Sequence, residues 1–139
     1  MILLGHIVSP GRAEGEAIVV KVPFSFLGEL DISTGKIASP FHEQFGQSLK
    51  GKVLVAPTGK GSSMGPIISW YAAKEGNNPA AIICIEAEPI IASAAITAGI
   101  PMVDKLNKNP LEVIRTGDYV KVDATAGVVE IVPSSEHVA

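Results

Sequence analysis

Cysteine is nearly absent from this chain: a single one, Cys84, stands among its 139 residues. One thiol excludes an internal disulfide. It also excludes an iron–sulfur cluster held by this chain alone, since such clusters normally take several thiolates. Cys84 sits in the apolar run Ala81-Ile82-Ile83-Cys84-Ile85, the setting of an inert core thiol. Charge is sparse too. Charged residues make up 18% of the chain, the net charge is −3, and no run of lysines and arginines offers a track for nucleic acid. Aromatic side chains amount to 5% and are too scattered for base stacking. Long apolar runs are missing as well: residues 1–4 and 80–85 are far too short for a signal peptide or a membrane span. These absences predict a soluble, cytoplasmic protein with no membrane and no nucleic acid among its partners.

What the chain does have is apolar side chains, 47% of the total. At this length they predict one domain, residues 1–139, with a real core and no covalent staples. So few charges leave two readings: a well-packed small domain, or one that also buries a subunit interface. The pattern along the chain is that of an α/β domain with many strands and a few short helices. Residues 1–8 read as a strand closed by Ser9-Pro10-Gly11, and 15–22 as a second, rich in β-branched residues. Residues 24–40, punctuated by Gly28, Gly35 and Pro40, read mainly as loop, with room for a short strand at 36–38. A strand at 52–56 ends at Pro57. Helix 66–74, strand 80–85, helix 89–98 and strand 100–103 follow, with Pro89 near a helix start and Gly99 just past its end. A short helix at 110–115 and strands at 119–123 and 128–132 complete the pattern, and the polar tail 133–139 reads as frayed. The central β-α-β-α-β stretch predicts parallel pairing through right-handed crossovers.

The segment with most chemical content is Gly59-Lys60-Gly61-Ser62-Ser63-Met64-Gly65, between a strand and a helix. Ligands of open α/β sheets bind at such places, off the carboxyl ends of strands. Glycines let the backbone turn tightly and approach a ligand, and a helix start offers free N–H groups. Hydroxyls and a lysine there suit a carboxylate or a phosphate. The segment is not a Walker A loop, because Leu54 stands where that motif needs its first glycine and Gly61 follows the lysine. It is not G-x-G-x-x-G, because Met64 stands at the third glycine, and it is not the G-x-S-x-G elbow. Two readings of Ser62 and Ser63 stay open on this pattern, a helix cap and a ligand contact. A serine can also move a proton where a helix start and nearby cations stabilise its alkoxide.

The loop has company. The chain also carries Pro23-Phe24-Ser25-Phe26-Leu27-Gly28-Glu29-Leu30-Asp31, Thr34-Gly35, His42 and Leu49-Lys50-Gly51-Lys52-Val53-Leu54-Val55. After it come Asn78-Pro79-Ala80-Ala81-Ile82-Ile83, Glu88-Pro89-Ile90-Ile91-Ala92 and Ala98-Gly99-Ile100-Pro101-Met102-Val103-Asp104. In this order, from Gly11 to about Val132, the set resembles the aconitase X small subunit family. The resemblance implies a swivelling β/β/α domain similar to that of aconitases. The family's loop reads Gly-Lys/Arg-Gly-Ser-Ser/Thr/Cys-x-Gly, and its fixed serine falls on Ser62, which the resemblance makes the proton acceptor of a dehydration. A separate small subunit resembles the archaeal form, which dehydrates (R)-5-phosphomevalonate to trans-anhydromevalonate 5-phosphate in a modified mevalonate route. A large subunit is then the expected partner, carrying a 4Fe-4S cluster and most of the substrate site, with no cofactor bound by this chain.

On this reading Ser62 is the catalytic residue, and Lys60, Gly61, Ser63 and Ser25 are the substrate-binding candidates. Lys60 would stabilise an alkoxide or hold an anionic substrate group, or else be a solvated loop lysine. Ser63 is expected to cap the helix. Three positions depart from the family pattern: Pro66 replaces a usual serine, and Glu29 and Ile32 replace a common glycine and proline. Ser25 and Asp31 approach the substrate or stabilise turns. His42 is a site, interface or loop residue, while His6 and His137 read as structural or solvated. Glu86 and Glu88 precede a helix and suit its positive end. Two rivals share much of this pattern: another aconitase X dehydratase, such as a hydroxyproline type, and a non-catalytic anion-binding or interaction module.

Overall fold

Every residue of the segments Val53–Ala56 and Ala81–Cys84 is buried, as strands covered on both faces require. The computed structural model describes residues 1–40 and 42–132. Its elements run β1 (Ile2–Leu4), β2 (His6–Ser9), β3 (Arg12–Val19), α1 (Phe26–Glu29), β4 (Val53–Ala56), α2 (Gly65–Lys74), β5 (Ala81–Cys84), α3 (Pro89–Ala98), β6 (Met102–Asp104), α4 (Pro110–Val113), β7 (Tyr119–Asp123) and β8 (Val128–Val132). The expected tail, 133–139, and His137 within it lie outside the described residues.

The eight strands follow the order β1-β8-β7-β3-β4-β5-β6-β2. The expected parallel unit is there: β3, β4, β5 and β6 pair parallel in turn. Strand β3 serves two partners. Its first half, from Arg12 to Glu16, pairs antiparallel with β7, and Ala17, Ile18 and Val19 pair with β4. Strand alternation then sorts the core into two slabs. Val53 and Val55 of β4 and Ala81 and Ile83 of β5 face Leu3, Val120, Val122, Val129 and Ile131 of the antiparallel strands. Leu54, Ala56, Ile82 and Cys84 point the other way, onto Ala72 of α2 and Ile91, Ala94 and Ala95 of α3. The result is sheet on sheet on helices, the anticipated β/β/α layering. Each large apolar side chain so buried contributes about 1.5–3 kcal/mol.

Residues 1–8 do not form the single strand expected of them. The chain breaks at Gly5 into β1, which pairs with β8, and β2, which pairs with β6. A side chain at Gly5 would run into Leu106 and lie 2.8 Å from the Asp104 carbonyl oxygen. The Gly5 N–H donates to the Gly127 carbonyl at 2.9 Å, so the bend is tied down. The two ends of the strand order are therefore joined through one residue. The expected loop at 24–40 likewise contains α1, a single distorted turn whose Gly28 adopts φ +84°. The short strand foreseen at 36–38 appears as isolated bridges, Leu30 with Ile37 and Lys36 with Ser48.

Helices α2 and α3 pack side by side over the parallel strands. The buried Ser69 hydroxyl of α2 lies 2.9 Å from the Ala94 carbonyl of α3 and 2.9 Å from that of Pro66. Helix α3 ends as its sequence foretells, at Gly99 in the left-handed region with φ 71°. At its start Glu88 caps it, accepting the N–H groups of Ile90 and Ile91 at 2.8 and 2.6 Å. Between β4 and α2, and resting on that start, runs the glycine-rich loop.

Candidate active site

Strand β4 delivers the chain to Pro57 at the carboxyl edge of the parallel sheet. From there the loop is laid against the segment before α1. The Phe24 N–H donates to the Thr58 carbonyl at 3.0 Å, and the Lys60 N–H donates to the Phe24 carbonyl at 3.1 Å. Gly59 between them is buried, and a Cβ there would strike the Glu88 carboxylate and lie 2.6 Å from Ile91 Cβ. Only glycine lets the loop seat this closely on the start of α3.

Ser62 then turns the chain into α2. Its carbonyl accepts the Gly65 N–H at 2.8 Å, and its Oγ accepts the Met64 N–H at 3.4 Å. The side chain is half-buried, and its own hydroxyl proton is donated to no described residue. The N–H groups of Gly61, Ser62 and Ser63 likewise find no acceptor among the described residues. Three open N–H donors beside one hydroxyl are the kind of donor set that suits a negative charge.

Ser63 does not cap α2, contrary to expectation. It is exposed and makes no side-chain hydrogen bond among the described residues, and the residue at the cap position is Met64, already in helical conformation with φ −80° and ψ −12°. The turn Ser62–Gly65 leads into α2 instead, with the Ser62 carbonyl accepting the Gly65 N–H and its Oγ accepting the Met64 N–H. Pro66, in the first turn of α2, has no N–H to offer a ligand.

Lys60 is exposed, but its ammonium is not free: Nζ lies 2.9 Å from Glu29 Oε1. Ser25 is buried, and its N–H donates to Glu29 Oε2 at 2.6 Å. Ser25, Lys60, Gly65 and Ile90 line one crevice, which leaves no room for a water molecule. Thus two substrate-binding candidates, Lys60 and Ser25, meet at one carboxylate, while Gly61, Ser62 and Ser63 form the neighbouring turn. Sequence reasoning treated Glu29 only as a departure from glycine. Its partner Lys60 lies far along the chain, and nothing local announces the pair.

Other polar residues fall outside this group. The Ser33 hydroxyl, with the Ser33 N–H, binds the Asp31 carboxylate and holds it below its ordinary pKa, so Asp31 serves its own turn. The His42 ring is buried, and its Nδ1 accepts the Gln44 N–H at 3.0 Å, while Nε2 has no partner among the described residues. His6 Nδ1 pairs with buried Asp104 at 3.0 Å. Glu88 acts as the helix cap foreseen for it, and Glu86 lies 3.9 Å from Lys105 on the surface.

The residues present do not fit an iron–sulfur cluster. Cys84 is fully buried in β5, and burial, reinforced by the Asp104 and Glu88 carboxylates, pushes its thiol up to about 12. No group of three His, Cys, Asp or Glu side chains among the described residues is placed to hold a metal ion. Among the described residues no helix is long and apolar enough to cross a membrane.

Comparison with known proteins gives this geometry a context. The aconitase X swivel domain family matches residues 2–131. The phosphomevalonate dehydratase small subunit of Methanocella arvoryzae is 48% identical over 131 residues, covering 94% of this chain and 99% of that protein. That of Thermococcus kodakarensis is 44% identical over 136 residues, covering 98% of this chain and all, 100%, of the other. In three dimensions the chain superposes on the crystal structure of Thermococcus kodakaraensis aconitase X in its holo-form with a TM-score of 0.89, at 43% identity, covering 95% of this chain and 98% of that one.

Proposed function

The chain belongs to the aconitase X swivel domain family, and on that premise we propose that it is the small subunit of a phosphomevalonate dehydratase. With a large subunit it removes water from (R)-5-phosphomevalonate to give trans-anhydromevalonate 5-phosphate, a cytoplasmic step of isoprenoid synthesis. The observation that carries this reading is the end-to-end match to relatives of that name, 48% identical over 94% of this chain in one case. Because those relatives are phosphomevalonate enzymes, the hydroxyproline and binding-module alternatives have less support.

Dehydration needs a base for a carbon-bound proton and help for the departing hydroxyl. This chain supplies the base. Ser62 Oγ accepts the proton, and the Met64 N–H already aimed at that oxygen stabilises the alkoxide form from which it acts. An unassisted serine is too weak an acid to serve, so the donors of the turn matter as much as the residue. The open N–H groups of Gly61 and Ser63, with Ser25 and Lys60 beside them, suit the substrate's carboxylate or phosphate. Among the described residues no set is placed to hold the 4Fe-4S cluster that the family resemblance implies; this reading assigns that group to the large subunit, and no step here runs through it.

The test is reconstitution. Co-expression with the large subunit under anaerobic conditions should give a complex that dehydrates (R)-5-phosphomevalonate, with neither subunit active alone. A stable complex that leaves this substrate untouched rejects the assignment.

A further inference from the structure

Glu29 is a carboxylate under the surface, only 5% exposed. A buried charge persists only where it is paired and hydrogen-bonded. Glu29 meets both conditions: Oε2 accepts the Ser25 N–H at 2.6 Å, and Oε1 holds Lys60 Nζ at 2.9 Å. Its position is over-determined. Its carbonyl accepts the Ala38 N–H at 2.9 Å, and the residue before it, Gly28, is turned at φ +84°. Lys60 differs in exposure. Its side chain is 58% exposed, and it stands two residues before Ser62 on the loop. The pair therefore couples one fixed charge to one movable charge.

We propose that Glu29 sets how strongly the loop holds the substrate's anionic group, by tethering Lys60 and cancelling its charge. The proposal deepens the dehydratase reading and rests on it, with the anion being the phosphate or carboxylate of the phosphorylated hydroxy acid. A free lysine on this loop attracts that anion at full strength. A lysine held against a buried carboxylate attracts it less, and in one direction only, with the donors that Glu29 leaves unused. Glu29 is thus a positioning residue acting through Lys60.

Glu29→Gln isolates the effect. The carboxylate has two acceptor oxygens for two donors, whereas the amide has one oxygen and one NH2 group. The oxygen stays with the backbone-fixed Ser25 N–H, the NH2 faces the ammonium, and Lys60 is released with the packing unchanged. In the assembled two-subunit enzyme, Lys60 of E29Q should react with an amine-reactive ester several-fold faster than in the parent, read by mass spectrometry. Inorganic phosphate should protect it at a lower concentration. KM for (R)-5-phosphomevalonate should fall about two- to fivefold with kcat held within about twofold, the size of one partly screened charge contact. That difference should shrink as salt rises and vanish in a Lys60→Met background. Equal labelling of Lys60, an unchanged KM, or the same fall in KM without Lys60 overturns the proposal. If the parent complex leaves phosphomevalonate unchanged, the dehydratase reading fails on its own. Phosphate protection then decides this proposal, and equal protecting concentrations overturn it. If E29Q does not assemble, Lys60→Met tests the pair from the other side: it leaves Glu29 uncompensated and should raise KM, and an unchanged KM overturns the proposal.

Discussion

A methyl group at position 59 has nowhere to go. The Cβ of Gly59→Ala would strike Glu88 Oε1 and lie 2.6 and 2.8 Å from Ile91 Cβ and Cγ2. Glu88 Oε1 is the acceptor of the Ile91 N–H, so relieving the clash means moving the cap of α3. Losing a cap costs about 1 kcal/mol, and an overpacked methyl adds about 1–3 kcal/mol. Together these predict a loss of about 2–4 kcal/mol, which for a chain of this size lowers Tm by roughly 6–15 °C. Thermal unfolding followed by circular dichroism measures it, with Gly61→Ala as the comparison. Two residues further on, a Cβ meets nothing nearer than 3.7 Å, and the φ of Gly61 is not positive. Gly61→Ala should therefore stay within about 0.5 kcal/mol of the parent, or gain slightly from a less flexible unfolded chain. Equal Tm values for the two variants would refute the claim that the loop is seated on the start of α3.

Two further outcomes follow from the same structure. Cys84, fully buried and with its thiol pushed up to about 12, should resist thiol reagents in the native protein and react only after denaturation; rapid native labelling contradicts the packing of β5. The Asp31 carboxyl, held below its ordinary value of 3.8 chiefly by the Ser33 hydroxyl, favours its ionised form in the folded chain. That stabilisation is complete above the ordinary value and is lost as pH falls through the lowered folded one. Asp31→Ala should accordingly lose less stability than the parent as pH falls below the ordinary value of 3.8, and identical acid limbs in the two proteins contradict the account.

Much of this fold was legible wherever one stretch of chain carries its own signal. Strands β7 and β8 alternate apolar and polar residues, and their observed bounds, Tyr119–Asp123 and Val128–Val132, are those anticipated. Helix α3 announces both ends through Pro89 and Gly99. The buried runs of β4 and β5 identify the covered sheet. What sequence reading missed depends on distant partners. The break at Gly5 arises from Leu106, Asp104 and Gly127, far off in sequence. The cap assigned to Ser63 is not made, and the turn at Ser62 leads into α2 instead. At the site, the loop and its serine were visible as a motif. The Glu29–Lys60 pair was not, because burial rather than sequence context makes a lone glutamate significant.

The central claim is that the proton-accepting group of the dehydratase sits in this chain, at Ser62. It is tested most directly by assaying Ser62→Ala, assembled with the large subunit without oxygen, for dehydration of (R)-5-phosphomevalonate beside the parent complex. The account predicts that the variant assembles normally and loses at least about a hundredfold in kcat, the low end for removal of a general base. A variant complex that forms, retains its substrate affinity and turns over at the parent rate would contradict it and place the base in the large subunit.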